Sequence, residues 1–88
     1  MNKEYSLISF VQRAKRRKIV LNCLKKAKIP KEIATECKIS ISNVSNALAE
    51  LVKADLVFCN NPKDHYFRYY ELTKKGKSLL KKISNFMS

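Results

Sequence analysis

The sequence predicts a mostly α-helical domain carrying one small β-hairpin. Three observations lead there. Two short helical patterns, over 30–37 and 41–54, are joined by the tight turn Lys38-Ile39-Ser40. A pair of strand patterns follows over 56–72, and a capped amphipathic helix over 73–87 closes the run. Eighty-eight residues fit one domain with one modest core.

The first helical stretch runs from Ser6 to Ala27 and carries two apolar stripes. Leu7, Phe10, Val11 and Ala14 form one; Ile19, Val20, Cys23, Leu24 and Ala27 form the other. At helical pitch the two point in different directions. The basic cluster Arg13, Lys15, Arg16, Arg17 and Lys18 lies between them. Either the helix breaks near this cluster, leaving 1–15 as an N-terminal extension, or one helix packs its ends on different neighbours. A second copy of the chain is a natural neighbour.

Pro30 suits the first turn of the next helix, where its missing N–H costs nothing. Ile33, Ala34 and Cys37 face inward from it. Ser40 is a good N-cap for the helix after the turn. The buried stripe of that helix is Val44, Ala47, Leu48, Leu51 and Val52 by its i, i+3, i+4 spacing. Asp55 then takes the left-handed position that Gly usually fills. Strands are expected over Leu56–Asn60 and Tyr66–Leu72, with a turn at Asn61-Pro62-Lys63-Asp64. In the return strand Tyr66, Arg68, Tyr70 and Leu72 share one face and Phe67, Tyr69 and Glu71 the other. Thr73 caps the last helix, whose stripe is Leu79, Leu80, Ile83, Phe86 and Met87.

The net charge is +12, which points to a polyanionic partner, nucleic acid before an anionic membrane surface. Its distribution is uneven. Residues 1–31 hold ten Lys/Arg against one Glu, and 72–88 hold five Lys and no acid, while 32–55 hold two Lys against four acids. The middle is slightly acidic and the ends carry the charge. No apolar run is long enough to span a membrane, and the N-terminus lacks the apolar core of a signal peptide. The expected place is therefore the cytoplasm, in association with the nucleoid.

Cys23, Cys37 and Cys59 are widely spaced, no CxxC pair exists, and His65 is the one histidine. This excludes a zinc site of familiar spacing and argues against a disulfide scaffold. Cys23 and Cys37 read as small buried hydrophobes. No Gly-rich phosphate loop, paired-carboxylate cleft or Cys–His pair is present, so no enzyme, cofactor or metal is expected.

A helix-turn-helix needs a brace helix, a short turn with one inward apolar residue, and a second helix whose outward face can hydrogen-bond base edges. Here the brace is Ile33, Ala34 and Cys37, and the inward turn residue is Ile39. The outward face is Ile41, Ser42, Asn43, Ser45, Asn46 and Ala49. The run IATECKISISNVSNALAELVKADLV (33–57) resembles the central segment of winged helix-turn-helix transcription regulators of the ArsR-like and MarR-like kinds. YYELTKKGKSLL (69–80) resembles their closing Leu-Thr-x-x-Gly segment, and the likeness covers roughly 16–84.

The resemblance implies the following. Ser42, Asn43, Ser45 and Asn46 lie on the base-reading face of a recognition helix. The wing tip, Lys63, Asp64 and His65 with Arg68 behind it, lies along the DNA backbone or minor groove. Lys38 and Asp55 stand where the family usually has Gly, so the turn and the helix exit are expected to be slightly distorted.

The recognition helix has no Lys or Arg before Lys53. Phosphate contacts must then come from elsewhere: Arg13, Arg16, Arg17 and Lys31, with Ser40 at the helix start and Lys63, His65 and Arg68 in the wing. Asn pairs well with adenine, so Asn43 and Asn46 imply a preference for A·T-containing sites. The function read from the sequence is a sequence-specific regulator that binds double-stranded DNA as a homodimer. Leu7, Phe10 and Val11, with Leu79, Leu80, Ile83 and Phe86, would join the two chains. A non-specific architectural DNA-binding protein and a winged-helix protein-interaction module are the alternatives.

Overall fold

A computed structural model describes residues 3–87, with side chains described from Ser6 to Ser84. Five helices and one hairpin follow in the order α1 (Lys3–Gln12), α2 (Lys15–Cys23), α3 (Pro30–Cys37), α4 (Ile41–Lys53), β1 (Val57–Cys59), β2 (Tyr70–Leu72) and α5 (Lys74–Met87). The core collects Val11 from α1, Val20 and Leu21 from α2, Ile33 from α3, and Val44, Ala47, Leu48 and Leu51 from α4. Leu24, Leu56, Val57, Leu72, Leu79 and Ile83 complete it. The central helix α2 packs on α1, α3, α4 and α5.

The first helical stretch breaks, as one of the two sequence alternatives has it. Ala14 is extended, with φ −124° and ψ 117°, and α2 starts afresh after it. Arg17 seals the break: its Nη1 donates to the Phe10 carbonyl at 2.7 Å, and its guanidinium stacks 4.0 Å from the Phe10 ring centroid. The carbonyl left open by the end of α1 is thus satisfied by a side chain from the next helix.

Both Gly-like positions are filled without loss of the motif. Lys38 has φ 56° and Asp55 has φ 62°. After Lys38, the Ile39 N–H reaches back to the Ala34 carbonyl at 3.2 Å; after Asp55, the Leu56 N–H reaches the Leu51 carbonyl at 2.9 Å. These are the bonds a left-handed helix exit makes with Gly. The expected distortion is absent at both places.

The hairpin is antiparallel, with Val57 opposite Leu72 and Cys59 opposite Tyr70. A further bridge joins Lys28 to Tyr70, which exchange N–H···O bonds of 3.0 and 2.8 Å. This third stretch of backbone gives Tyr70 a partner on each side. The return strand is shorter than expected, three residues in place of seven. Residues 61–69 form a loop instead, because Asp64 and Asn61 capture the N–H groups of Tyr66, Phe67 and Tyr69.

Two packing expectations are corrected. Val52 is 41 % exposed; about 80° of helical rotation separates it from Val44, which leaves it at the edge of the buried stripe. Cys23 and Cys37 do more than fill space. Their sulfurs meet as a disulfide from the end of α2 to the end of α3, with Cα atoms 6.7 Å apart, inside the range such a bond spans. No helix among the described residues is long and apolar enough to cross a membrane.

Candidate nucleic-acid interface

The start of α4 is well formed. Ser40 is extended (φ −65°, ψ 150°), and its Oγ accepts the Asn43 N–H at 3.1 Å. Its other end makes the left-handed exit at Asp55. Between these stops Val44, Ala47, Leu48 and Leu51 are buried, so rotation about the helix axis is fixed. The opposite face then carries Ser42, Asn43, Ser45, Asn46 and Ala49, all exposed, together with Ile41 at 51 %. Ser42, Asn43, Ser45 and Asn46 are thus brought together on one open surface.

The brace has the anticipated parts. Ile33 is buried, and Ala34, Cys37 and Ile39 pack partly against the core. The N-terminal N–H of α3 is handled by Glu32, whose Oε1 accepts from Ile29 at 3.0 Å, half of a capping box.

The residues expected at the phosphates divide into two groups. Arg13, Lys31 and Ser40 are exposed, as are Lys63, His65 and Arg68 in the wing. Arg16 and Arg17 instead turn onto α4. Arg16 donates from Nε and Nη2 to the two Glu50 carboxylate oxygens at 3.1 Å each, and Arg17 Nη2 donates to the same carboxylate at 2.8 Å. The hydrogen bonds from Arg17 and then Arg16 push the Glu50 carboxyl down to about 2. The same bond raises the Arg16 guanidinium above its ordinary value. Arg17 is only 17 % exposed. Its guanidinium holds the fold together, a role that counting the charge cluster could not show. The one signal available was Glu50, the lone acid on α4.

The wing loop is built on polar side chains. Asp64 Oδ1 accepts from the Tyr66 and Phe67 N–H groups at 2.8 Å each. These bonds hold the Asp64 carboxyl below its ordinary value. Arg68 Nε donates to the Asp64 carbonyl at 2.9 Å. Tyr66 does not share a strand face with Tyr70: it stands out at 89 % exposure, with Phe67 at 58 %.

A capped helix with a polar outer face, a three-residue turn from its brace helix, and a hairpin leading into a closing helix decide the architecture. The fold is a winged helix-turn-helix. Solved winged-helix proteins superpose on most of the chain. A MarR family transcription regulator matches 94% of it at 17% identity and TM-score 0.76, and the chain spans 62% of that protein. BpsR of Bordetella bronchiseptica, whose DNA binding is regulated by 6-hydroxynicotinic acid, matches 97% of the chain at 17% identity and TM-score 0.77, over 73% of its own length. A MepR variant of S. aureus bound to an oligodeoxyribonucleotide matches 97% at 16% identity and TM-score 0.75, over 68% of its length. No protein-family model and no curated protein matches the sequence.

The surface assigned to a second chain is not open as a unit. Val11, Leu79 and Ile83 are buried inside this winged helix. They belong to the core because α5 folds back onto α1 and α2. Leu7, Phe10 and Leu80 are half-buried against that core. The side chain of Phe86 lies outside the described residues. Among the described residues no group of three or more His, Cys, Asp or Glu is placed to hold a metal ion.

Proposed function

We propose that the protein is a sequence-specific, double-stranded DNA-binding transcription regulator that places α4 in the major groove. The carrying observation is the exposed face of Ser42, Asn43, Ser45 and Asn46 on a helix whose rotation is fixed and whose start is capped. Asn43 and Asn46 read adenine, which favours sites containing A·T pairs. Affinity comes from basic residues off the reading face of α4. Arg13, Lys31 and the wing residues Lys63, His65 and Arg68 meet phosphates, and Arg16, 37 % exposed, contributes beside its bond to Glu50. Phosphate contacts hold the protein and base contacts choose the site. Two copies bind two half-sites about one helical turn apart. Their contact uses the half-buried Leu7, Phe10 and Leu80, with Phe86.

Selection from randomised duplexes tests this reading. The expected result is an A·T-containing consensus with two half-sites, relaxed in Asn46→Ala. An Arg13→Ala, Lys31→Ala pair loses affinity for every sequence and lowers the salt slope by about 2. A G·C-rich consensus, or none, sinks the specific reading.

A further inference from the structure

The wing tip is the least expected surface of the molecule. Between the hairpin strands the chain exposes two large aromatic side chains at consecutive positions, Tyr66 at 89 % and Phe67 at 58 %. Such rings are normally buried, or lost from a surface that has no use for them. The loop that carries them is fixed. Asp64 Oδ1 holds both of their N–H groups. Asn61 grips the far side, donating from Nδ2 to the Phe67 carbonyl at 2.5 Å and accepting the Tyr69 N–H at 2.7 Å. The only carboxylate of the loop is thereby spent on backbone groups, while Lys63, His65 and Arg68 around it stay exposed. The result is a loop of fixed backbone that presents both rings to solvent beside the cations Lys63 and Arg68.

We infer that Tyr66 and Phe67 form an aromatic wedge that stacks against a base step of duplex DNA, with Lys63 and Arg68 on the flanking phosphates. This rests on the DNA reading and deepens it. An aromatic face stacks on any base, so the wedge adds affinity with little direct choice of sequence. Opening a step costs stacking energy, and the cost is least at flexible TA and CA steps. The wedge therefore selects deformable steps beside the site that α4 reads. Because the loop is already ordered, little freedom is lost on binding. The charge around the rings favours a polyanion over an apolar protein surface as the partner.

The test uses the full chain and a duplex carrying the selected site, with 2-aminopurine at successive adenines on the wing side. The wild type raises the fluorescence of one step as it unstacks. Tyr66→Ala with Phe67→Ala abolishes that rise and weakens binding at least tenfold, while the preference read by α4 persists. Tyr66→Phe, which keeps the ring, behaves as wild type. If the double variant binds as tightly as wild type and no step brightens with either protein, the wedge is overturned. If the wild type binds no duplex, the DNA reading itself falls. A protein partner captured through Tyr66 and Phe67 that DNA does not displace also overturns the wedge.

Discussion

Gly76 lies directly against the carbonyl of Leu56. A Cβ at position 76 would collide with that backbone oxygen, and the carbon and Cα of Leu56 stand close behind it. The contact is held from both sides. The Leu56 carbonyl accepts the Thr73 N–H at 3.1 Å, the Gly76 N–H donates to Thr73 Oγ1 at 2.9 Å, and that hydroxyl donates to the Asp55 carbonyl at 2.7 Å. The Leu-Thr-x-x-Gly segment is thus a lock that fixes the start of α5 on the exit of α4. Backbone cannot yield as a side chain can, so Gly76→Ala should destabilise by about 3 kcal/mol or more. For a domain of this size that lowers Tm by roughly 10 °C or more. Thermal unfolding followed by circular dichroism checks it.

The clamp on Glu50 predicts an acid limb in stability. Its folded carboxyl sits near 2 against an ordinary 4.5. A depressed carboxyl contributes stability that is complete above the unfolded value and lost as pH falls through the folded one. Denaturant midpoints should therefore show no contribution from this group to the slope above pH 5 and a decline between about pH 4.5 and 2. Glu50→Gln should lower the midpoint at pH 7 and flatten that decline. Equal acid sensitivity in the variant would remove the clamp from the account.

Left-handed Lys and Asp cost energy that Gly would not. Lys38→Gly and Asp55→Gly should each stabilise the fold by about 0.5 to 1 kcal/mol, after the entropy that Gly adds to the unfolded chain. A loss at Asp55 would mean that its side chain does more than tolerate its φ of 62°.

The cysteine pair is checked by counting thiols. Alkylation of the folded, unreduced protein should label Cys59 alone, and reduction should expose Cys23 and Cys37. Closing a loop with sequence separation 14 stabilises by about 3 kcal/mol in the chain-entropy account. Reduction, or Cys37→Ser, should lower Tm accordingly, with no such effect from Cys59→Ser.

What the sequence disclosed follows the range of the interactions. Ser40, Thr73, Asp55 and the stripe from Val44 to Leu51 were legible because caps, left-handed exits and helical spacing are local. The pairing of Cys23 with Cys37 was not, since the packing of α2 on α3 brings them together and no motif spacing announces it. The strand expected from Tyr66 failed for a related reason. Aromatic residues favour strands, but Asp64 and Asn61 offered their acceptors to the same N–H groups first. The sequence assigns Arg13, Arg16 and Arg17 alike to phosphate contacts, because nothing in their spacing reveals that Glu50, more than thirty residues on, lies across from Arg16 and Arg17. The open face of α4 was legible, and the division of the cluster between surface and fold was not.

Arg17 touches three elements at once. It rises from α2, holds the Phe10 carbonyl and ring at the end of α1, and binds Glu50 on α4. Mechanically it is a pin through three plates. If α1 tilts at its break from α2, the guanidinium must either follow Phe10 and drag on Glu50 or release one of them. One guanidinium thus ties the end of α1 to the helix with the open polar face, so the orientation of that face and the break before α2 are not independent.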